Sequence, residues 1–416
     1  MNSRRRVVVT GLGALTPIGK NVAELWQGLL EGKNGISRIT KFDPAGFGSQ
    51  IAGEVKDFNP LDRLDRKEVK RLDPFAQYAL YAAVEAVEDS GLLDYSGLDR
   101  NRVGVIIASG IGGIGTLESE MKKMFDKGPS RVSPFLVPMM IPDIAAGHIA
   151  IKYGFKGPNF CVVSACASSA HAIGESMRII QRGDADVVVV GGTEAPIVKI
   201  SIAGFSSARA LSTRNDEPEK ASRPFDAQRD GFVIGEGAGI VVLESLEHAL
   251  KRNARIYAEL KGYGATADAY HITAPDPGGE GAKRAMQLAI EDAGLSIEDI
   301  DYINAHGTST KLNDKTETLA IKQVFGDRAY KIPISSTKSM IGHLLGAAGA
   351  VEFIVSVLSV VNDVVHQTRN YEYPDPECDL DYVPEGARRV KVNNVLSNSF
   401  GFGGHNASLI VGKFNT

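Results

Sequence analysis

Short runs of β-branched and other apolar residues alternate along the chain with longer amphipathic segments. Five such runs are RVVVTG (6–11), RVGVIIASG (102–110), DVVVVGG (186–192), IYAELKGYG (256–264) and IDYINAHG (300–307). Continuous apolar runs indicate strands that are covered on both faces, and the i, i+3, i+4 spacing of YALYAAVEAVEDSGL and AKRAMQLAIEDAGL indicates the helices that cover them. The alternation predicts an α/β fold built in layers.

The two halves of the chain resemble each other in this pattern. RVVVTGLGALT begins the first half and RIYAELKGYGAT begins the second, and each half later has a strand followed by a reactive residue at a helix rich in glycine and alanine. The repetition predicts an internal duplication, with one half at residues 1–253 and the other at residues 254–416. Because no Pro-rich or Ser-rich linker separates the halves, we expect them to pack as one body.

Composition narrows the class of protein. The 416 residues are 43% hydrophobic and 23% charged, with a formal net charge of -4, so no global field attracts nucleic acid or anionic lipid. Three cysteines are too few for a disulfide framework and indicate a reducing compartment. The apolar run near the N-terminus is too short for a signal peptide, and no stretch approaches the roughly 20 apolar residues of a membrane helix. The chain is expected to be cytoplasmic.

The strongest chemical signal is PNFCVVSACASSAHAIGES (158–176), in which a strand-like run ends and a helical pattern starts at Cys166. A cysteine at a helix N-terminus faces unpaired N–H groups and the positive end of the helix dipole, which lower the thiol pKa from its free value of about 8.5. The same N–H groups can hold the oxyanion of an acyl intermediate. Cys166 is therefore predicted to be a nucleophile, whereas Cys161 and Cys378 are predicted to be structural residues.

Two of the eight histidines occupy positions suited to catalysis. His306, in NAHGTST, stands where a strand ends and a Gly/Thr loop begins, the point at which ligands meet open α/β sheets. His343, in SSTKSMIGHLLGAAGAVE, opens a helix whose first turns carry small residues, as does the helix at Cys166, so these helices can approach closely. A catalytic role stays open beside a packing role for both. The histidines interpreted as packing or solvent residues are His148, His171, His248 and His366.

Glycine-rich and basic segments allow several interpretations. NSFGFGGHN (398–406) predicts a backbone that turns tightly or approaches a ligand, with candidate oxyanion donors, but a simple hairpin turn is also compatible. GIGGIG (110–115) satisfies the dinucleotide fingerprint only weakly, because the charged helix TLESEMKKMF follows it. The cysteines and histidines lack the paired spacing of zinc sites. The basic cluster RLDRKEVKR (63–71) is either a solvated helix face or a docking site for an acidic protein.

Four motifs together resemble one family. They are SACASSAH around Cys166, NAHGTST around His306, SSTKSMIGHLLGAAG around His343 and SNSFGFGG near the C-terminus, with DGFVIGEGAG (230–239) and STRNDEPEKASRPFD (212–226) in addition. The set resembles the type II branch of the β-ketoacyl-acyl carrier protein synthases, condensing enzymes of the thiolase superfamily, over essentially the whole chain. The resemblance implies a thiolase-like fold, in which two similar βαβαβαββ halves form five αβαβα layers, and a homodimer.

The resemblance also implies a decarboxylative Claisen condensation in fatty acid elongation. Cys166 would take the acyl group from the phosphopantetheine thioester of acyl carrier protein, with the N–H groups of Cys166 and Phe402 as the oxyanion hole. His306 and His343 would bind the malonyl thioester carbonyl during decarboxylation, and the carbanion would attack the acyl-cysteine. No catalytic cofactor is implied, because the phosphopantetheine arrives on the carrier protein.

Further positions are carried over from the same resemblance. Lys338 matches the active-site lysine, with Glu317 as its ion-pair partner, and Phe402 matches the gate between the acyl and malonyl sites. Thr308 and Thr310 match positions that hydrogen-bond the pantetheine arm. The basic positions that would receive the acidic carrier protein are Lys67, Lys70, Arg71, Arg131 and Arg209. A structural monovalent cation, K⁺ or Na⁺, is implied near Asn304, Glu352, Ser397 and Asn398.

Some features depart from the family pattern or leave alternatives open. His405 stands where many members have threonine, and KLN (311–313) replaces a proline-containing turn; both border the pantetheine tunnel. SACASSAH also resembles type I synthases, so the type II assignment depends on SGIGG and Ile111, which matches a pocket-entrance residue that tunes chain length. A type I synthase and a polyketide ketosynthase stay open. A thiolase would need a second catalytic cysteine, a chain-length subunit would lack the nucleophile, and a dinucleotide-dependent oxidoreductase depends on GIGGIG alone.

Overall fold

The structure, a computed structural model, describes residues 4–415, in which strands and helices alternate along the chain. The strands are β1 (Val7–Leu15), β2 (Ile36–Arg38), β3 (Ile51–Gly53), β4 (Val103–Ala108), β5 (Asn159–Phe160), β6 (Val187–Glu194), β7 (Gly237–Ser245), β8 (Ala258–Ala267), β9 (Tyr302–Asn304), β10 (Ile334–Ser335), β11 (Val364–Val365), β12 (Arg388–Arg389), β13 (Asn394–Gly401) and β14 (His405–Gly412). The helices are α1 (Val22–Glu31), α2 (Arg66–Val69), α3 (Pro74–Ser90), α4 (Ile114–Lys127), α5 (Leu136–Met140), α6 (Ile144–Tyr153), α7 (Ser168–Arg182), α8 (Lys199–Ser207), α9 (Leu246–Lys251), α10 (Glu280–Asp292), α11 (Lys311–Phe325), α12 (Lys338–Ile341) and α13 (Ala348–Asn362).

The main sheet has a mirrored strand order, β10-β9-β13-β14-β8-β1-β7-β6-β4-β5. In each half the outer three strands are parallel and the inner two pair antiparallel with their neighbours. The halves are joined through β1 and β8, from Val7 opposite Leu260 to Val9 opposite Ala258. The five apolar runs of the sequence form β1, β4, β6, β8 and β9.

Helices cover and separate the two halves of this sheet. Helices α3 and α6 pack on the outer face of the first half, and α10 and α11 cover that of the second half. Helices α7 and α13 lie between the halves and contact strands of both, within the largest apolar core. The α/β layers predicted from the sequence pattern are confirmed, as is the αβαβα order that the family resemblance implied.

The halves repeat one another in close packing. A Cβ atom added at Gly13 of β1 would collide with the carbonyl oxygen of Ala82 in α3, and one added at Gly264 of β8 would collide with that of Ala285 in α10. Each outer helix therefore lies directly on its strand, because glycine leaves room for the helix backbone.

The central helices begin in the same way. A 3₁₀ turn at Ala165–Ala167 precedes α7, and another at Leu345–Ala347 precedes α13. Each turn starts with a residue of positive φ, which is 50° at Ala165 and 48° at Leu345. Such backbone is strained for residues other than glycine, and in this fold it presents both turns to one central space.

The segment Leu345–Asn362 is long and apolar enough to cross a membrane, which the sequence did not lead us to expect. However, 89% of it is buried inside the protein, since it comprises α13 and the preceding turn. We therefore interpret it as a core helix.

Candidate active site

A cavity of about 460 Å³ opens where the two central turns meet. Cys166, His306 and His343 line it together, although they come from segments far apart in sequence. The other sequence-predicted residues that line it are Ile111, Arg209, Thr308, Thr310, Glu317 and Phe402. The structure thus brings most of the predicted site into one pocket, and Lys338 lies buried beside it.

The close approach of α7 and α13 predicted from their small residues is confirmed. The Ala350 N–H donates to Ser169 Oγ at 2.9 Å, and a Cβ atom added at Gly349 would lie 2.9 Å from Ala170 Cβ. The helix positions themselves need correction: Cys166 lies in the 3₁₀ turn before α7, and His343 precedes the turn before α13. Both groups are therefore presented by turns, at the N-terminal ends of the central helices.

The backbone N–H groups of Phe402 and of Cys166 itself favour the thiolate form of Cys166 and so lower its pKa, against the larger effect of burial. They converge because β13 ends beside the cysteine turn: a Cβ atom added at Gly401 would lie 2.8 Å from Ser164 O and 3.0 Å from Cys166 N. Only glycine permits that approach. The end of β13 therefore lies against the cysteine turn, where the backbone N–H groups of Cys166 and Phe402 could donate to an oxyanion.

The prediction of a lowered thiol pKa was wrong. Burial raises the pKa of Cys166 to about 11, although the Lys338 charge and the two N–H groups act in the opposite direction. The negative charge of Glu194 adds to the rise. Desolvation of the thiolate outweighs the turn dipole here, so Cys166 rests as a thiol at neutral pH.

The two histidines are held as neutral donors. The Leu345 N–H donates to His343 Nδ1 at 3.2 Å, and the Lys338 ammonium lies 3.5 Å from His306 Nδ1. Since an ammonium only donates, both rings are assigned the tautomer with hydrogen on Nε2. His343 Nε2 has no hydrogen-bond partner within residues 4–415. Burial and the Lys338 charge hold the pKa of each ring well below its usual value, with His343 adding to the effect at His306.

Lys338 forms a buried ion pair with Glu352, so the predicted pairing with Glu317 was wrong. Glu317 instead accepts the N–H groups of His306 and Gly307, both at 2.8 Å. The difference is geometric, because Glu352 projects from central α13 whereas Glu317 projects from outer α11. Burial raises the pKa of both carboxyl groups to about 7. The Lys338 charge opposes this rise at Glu352, and the two N–H groups oppose it at Glu317.

Buried charged side chains, which the sequence analysis missed, hold the Gly/Thr loop after His306 in place through hydrogen bonds. Thr308 Oγ1 and Thr310 Oγ1 are 2.9 Å apart and face the pocket. Arg229 donates to Thr310 O at 3.1 Å, while Asp314 accepts the N–H of Ser309 at 3.1 Å. The buried charges fix the loop, but nothing in the sequence pattern distinguishes them from surface charges.

The residues proposed for a cation include two unpartnered oxygen atoms. Asn304 Oδ1 and Glu352 Oε2 are buried and have no hydrogen-bond partner in the described part of the chain. Ser397 lies opposite Asn304 on the paired strands β9 and β13, and Asn398 Oδ1 accepts a hydrogen bond from Ser408 at 2.8 Å. Buried carboxylate and amide oxygens of this kind fit a hard cation. Over residues 4–415, no group of three His, Cys, Asp or Glu residues is arranged to hold a metal ion.

The basic positions implied for docking are on the surface. Lys67, Lys70, Arg71, Arg131 and Arg209 are all exposed, and none of them forms a salt bridge within the described residues. The Arg71 guanidinium lies over the ring of exposed Phe135, 5.3 Å from its centroid, and Arg209 lies at the pocket. An acidic surface could approach without displacing internal partners.

The remaining predicted features lie outside the pocket. His148, His171, His248 and His366 do not line it; His171 Nδ1 is 2.7 Å from Ser164 Oγ, and His248 Nδ1 is 2.6 Å from buried Glu244. His248 is therefore packed rather than a free surface residue. Cys378 is buried and Cys161 is half-buried. In GIGGIG, the N–H groups of Gly110 and Ile111 donate to Glu194, so they are not free to bind a pyrophosphate.

Comparisons with known proteins agree with this geometry. Residues 4–249 match the family described as the N-terminal domain of beta-ketoacyl synthase, and residues 257–372 match its C-terminal domain. The 3-oxoacyl-[acyl-carrier-protein] synthase 2 of Synechocystis is 55% identical over 99% of this chain and 99% of that protein. The protein of the same name from Staphylococcus aureus strain N315 is 55% identical over 100% of both.

Solved structures extend the likeness to three dimensions. A beta-ketoacyl synthase from Burkholderia phymatum is similar with a TM-score of 0.92 and 36% identity, covering 99% of this chain and 100% of that chain. A type II polyketide ketosynthase, solved in complex with its acyl-carrier protein, gives the same TM-score of 0.92, 36% identity and the same coverage.

Proposed function

We propose that this chain, which belongs to the β-ketoacyl synthase family, is a 3-oxoacyl-acyl carrier protein synthase of type 2. It would catalyse the condensation that elongates an acyl chain. The observation that carries the proposal is the convergence of Cys166, His306 and His343 on one pocket, with the end of β13 at Gly401 packed against the cysteine turn. The higher identity to the type 2 synthases, 55% against 36% for the polyketide ketosynthase, favours fatty acid elongation over polyketide synthesis.

The first half-reaction transfers the acyl group to the enzyme. The Cys166 sulfur attacks the thioester carbonyl carbon of acyl carrier protein, and the N–H groups of Cys166 and Phe402 hold the oxyanion. The bond to the phosphopantetheine sulfur then breaks, and the proton of the Cys166 thiol ends on that leaving sulfur. Burial keeps the resting thiol neutral, so the reaction uses a transient thiolate, which the nearby Lys338 charge favours.

The second half-reaction forms the carbon-carbon bond. The Nε2–H groups of His306 and His343 donate to the malonyl thioester oxygen as the bond to the carboxylate breaks and CO₂ leaves. The electron pair becomes an enolate, whose carbon attacks the acyl-Cys166 carbonyl. The bond to the cysteine sulfur then breaks, and the released thiolate takes a proton from water. Neutral donors suit this step, because decarboxylation supplies the carbanion without a strong base.

The partner that delivers both substrates is an acyl carrier protein. Its acidic surface would meet Lys67, Lys70, Arg71, Arg131 and Arg209, and its pantetheine arm would pass Thr308 and Thr310 into the pocket. The exposure of the five basic side chains supports this route, as does their lack of internal ion pairs among the described residues. No catalytic cofactor takes part, since the arm belongs to the carrier protein.

The protein would act as a homodimer. Strand β5 is an exposed edge of the sheet, and Phe160 on it is 40% exposed. The neighbouring apolar side chains Val163 and Ile151 are 58% and 78% exposed. An unprotected apolar edge calls for a covering partner, and a second copy can pair its own β5 there. Mass measurement by light scattering would test this, with a monomer at micromolar concentration as the contrary result.

Three further assignments complete the proposal. Asn304, Glu352, Ser397 and Asn398 would hold a monovalent cation, K⁺ or Na⁺, whose charge would complement the buried oxygen atoms. The lobes would divide between residues 253 and 254. The N-terminal half would then carry Cys166, and the C-terminal half would carry both histidines. The cytoplasm would be the compartment, in keeping with three free cysteines among the described residues.

Turnover with purified carrier proteins tests the activity. With acyl- and malonyl-loaded carrier protein, the enzyme should release one CO₂ for each 3-oxoacyl-carrier protein formed, while a Cys166→Ala variant forms none. A nicotinamide-dependent absorbance change instead would favour the oxidoreductase alternative. Absence of product from the folded wild-type enzyme with several acyl lengths would overturn the proposal.

A further inference from the structure

Glu194, the last residue of β6, is fully buried beside the active site and has no place in the mechanism above. Its carboxylate accepts four hydrogen bonds from two turns. Ser109 Oγ donates to Oε1 at 2.8 Å and Ile111 N donates to it at 3.1 Å. Gly110 N donates to Oε2 at 2.8 Å, and Gly346 N donates to it at 2.9 Å.

The hydrogen-bond pattern favours an ionised carboxylate. All four partners donate, and three of them are backbone N–H groups, which can only donate. The Ser109 hydroxyl oxygen accepts the Gly112 N–H at 3.0 Å. A proton on Glu194 would weaken the hydrogen bonds that these N–H groups donate to the carboxylate. Burial raises the pKa of Glu194, and the four donors oppose that rise. A glutamine would place its NH₂ group against a donor in either orientation.

The two turns meet at the carboxylate more closely than side chains allow. A Cβ atom added at Gly346 would lie 2.6 Å from Glu194 Oε2 and would also collide with Gly110 N. One added at Gly110 would lie 2.9 Å from the same carboxylate oxygen. Because Gly110 and Gly346 have no side chains, both turns can approach the carboxylate, and Glu194 holds them together through its hydrogen bonds.

Each turn carries a different part of the pocket. The first continues into Ile111, which lines the cavity beside Cys166. The second begins at Leu345, whose N–H sets the tautomer of His343. One carboxylate therefore connects the acyl side of the pocket, from the N-terminal half, with the malonyl side, from the C-terminal half.

We propose that Glu194 is a positioning residue for the condensation, which fixes the turn of Ile111 and the turn that follows His343 in one relative geometry. The inference deepens the proposed function and rests on it for the two half-reactions. Loss of the carboxylate should disturb both half-reactions and change discrimination between acyl chains, because the Ile111 turn is released together with the His343 turn.

The test compares Glu194→Gln with Glu54→Gln in the full-length enzyme. Glu54 is a matched control: it is buried, and it accepts the Thr40 N–H at 2.9 Å and the Lys41 N–H at 3.1 Å, but neither of these two residues lines the pocket. For Glu194→Gln we expect roughly a hundredfold loss in acylation of Cys166 and in malonyl decarboxylation, as is typical of misplaced reacting groups. The ratio of long-chain to short-chain acylation rates should also change. Glu54→Gln should keep both rates and the ratio.

A second measurement needs no substrate. The anion of Glu194 contributes to the high pKa of the Cys166 thiol, so Glu194→Gln should move the pH profile of iodoacetamide alkylation to lower pH. Ser109→Ala, which loosens the same turn but keeps the charge, serves as the control and should leave the profile in place. This readout separates a charge effect from loss of folding, which circular dichroism monitors.

The outcomes distinguish the two proposals. Wild-type enzyme without turnover would overturn the proposed function, whatever the variants do. If wild-type enzyme turns over and folded Glu194→Gln keeps both rates, the chain-length ratio and the alkylation profile, the positioning role is wrong. An equal loss in Glu54→Gln would also contradict it, since the loss would then follow from removing any buried carboxylate.

Discussion

His306 and His343 face one another edge to face, with ring centroids 5.3 Å apart and ring planes at 85°. Each ring has its Nδ1 atom engaged, by the Lys338 ammonium or by the Leu345 N–H. The arrangement leaves two Nε2–H donors of a neutral pair for one substrate oxygen. Burial and, after it, the Lys338 charge keep the pKa of both rings low and the rings neutral, so the lysine acts on the donors without contacting the reacting carbon.

His343→Ala should separate the two half-reactions. Removing one of two enolate donors should lower malonyl decarboxylation by about 10²- to 10³-fold, the usual cost of losing such a donor. Acylation of Cys166 should continue, because its oxyanion is held by backbone N–H groups. Release of CO₂ and acyl-enzyme formation can be followed separately. His148→Ala, outside the pocket, should keep both rates, and an equal loss of both in His343→Ala would show that the division of roles is wrong.

The reactivity of Cys166 should rise steadily through alkaline pH. Since burial raises the pKa of the thiol to about 11, the thiolate is a small fraction at neutral pH and grows as pH approaches that value. The alkylation rate with iodoacetamide should increase about tenfold per pH unit between roughly pH 7 and pH 9. A plateau already reached near neutral pH would mean that the turn dipole outweighs burial, as the sequence alone suggested.

Breaking the buried ion pair should destabilise the protein. Lys338→Met leaves Glu352 buried without its counter-charge, which typically costs about 3–5 kcal/mol in the free energy of unfolding. Without Lys338 the pKa of Glu352 rises further above about 7, so the loss should be larger at alkaline than at acidic pH. Urea unfolding at a series of pH values measures both effects.

The exposed pair of Lys220 and Glu217 supplies the control for this prediction. Lys220→Met should leave the urea midpoint unchanged, because exposed pairs are screened by solvent. A double variant, Lys338→Met with Glu352→Gln, should recover part of the lost stability. If Lys338→Met unfolds at the same urea concentration as the wild type at all pH values, the ion pair does not form in solution.

Gly401→Ala should impair acylation without changing the fold. The added methyl group would lie 3.0 Å from Cys166 N and 2.8 Å from Ser164 O, so β13 must move away from the cysteine turn and carry the Phe402 N–H with it. Loss of one oxyanion donor costs about 10²- to 10³-fold in rate. Gly204→Ala is the control, since its Cβ would meet no atom within 4 Å. Comparable acylation rates in the two variants would exclude Phe402 N–H as a donor.

Much of the fold was predictable because its strands are buried on both faces. The runs at β1, β4, β6, β8 and β9 were read directly from continuous apolar sequence, and the glycine and alanine patterns of the central helices indicated their close approach. Pairing across the sheet was not readable, because partner strands such as β1 and β8 are distant in the chain and no local residue specifies the pairing. The resemblance to a known family supplied the two halves and the order of the layers, and the structure supplied the pairing.

The residues proposed to react with substrate could be predicted from the sequence. The buried residues that position them were harder to predict. Cys166, His306 and His343 stand in distinctive motifs, whereas buried charges resemble surface charges in sequence. The choice of Glu352 over Glu317 depends on which helix faces Lys338, and the role of Glu194 depends on two turns meeting in space. The thiol pKa was misjudged because the sequence shows the turn but not the depth of burial.

The central claim is that Cys166 carries the acyl group and that malonyl-carrier protein discharges it. Mass analysis of the intact protein and of its peptides, after mixing with acyl-carrier protein, should find one acyl group per chain, attached to Cys166. Addition of malonyl-carrier protein should remove the adduct and yield 3-oxoacyl-carrier protein. An adduct on Cys161 or another residue, no adduct at all, or an adduct that malonyl-carrier protein leaves in place would contradict the account.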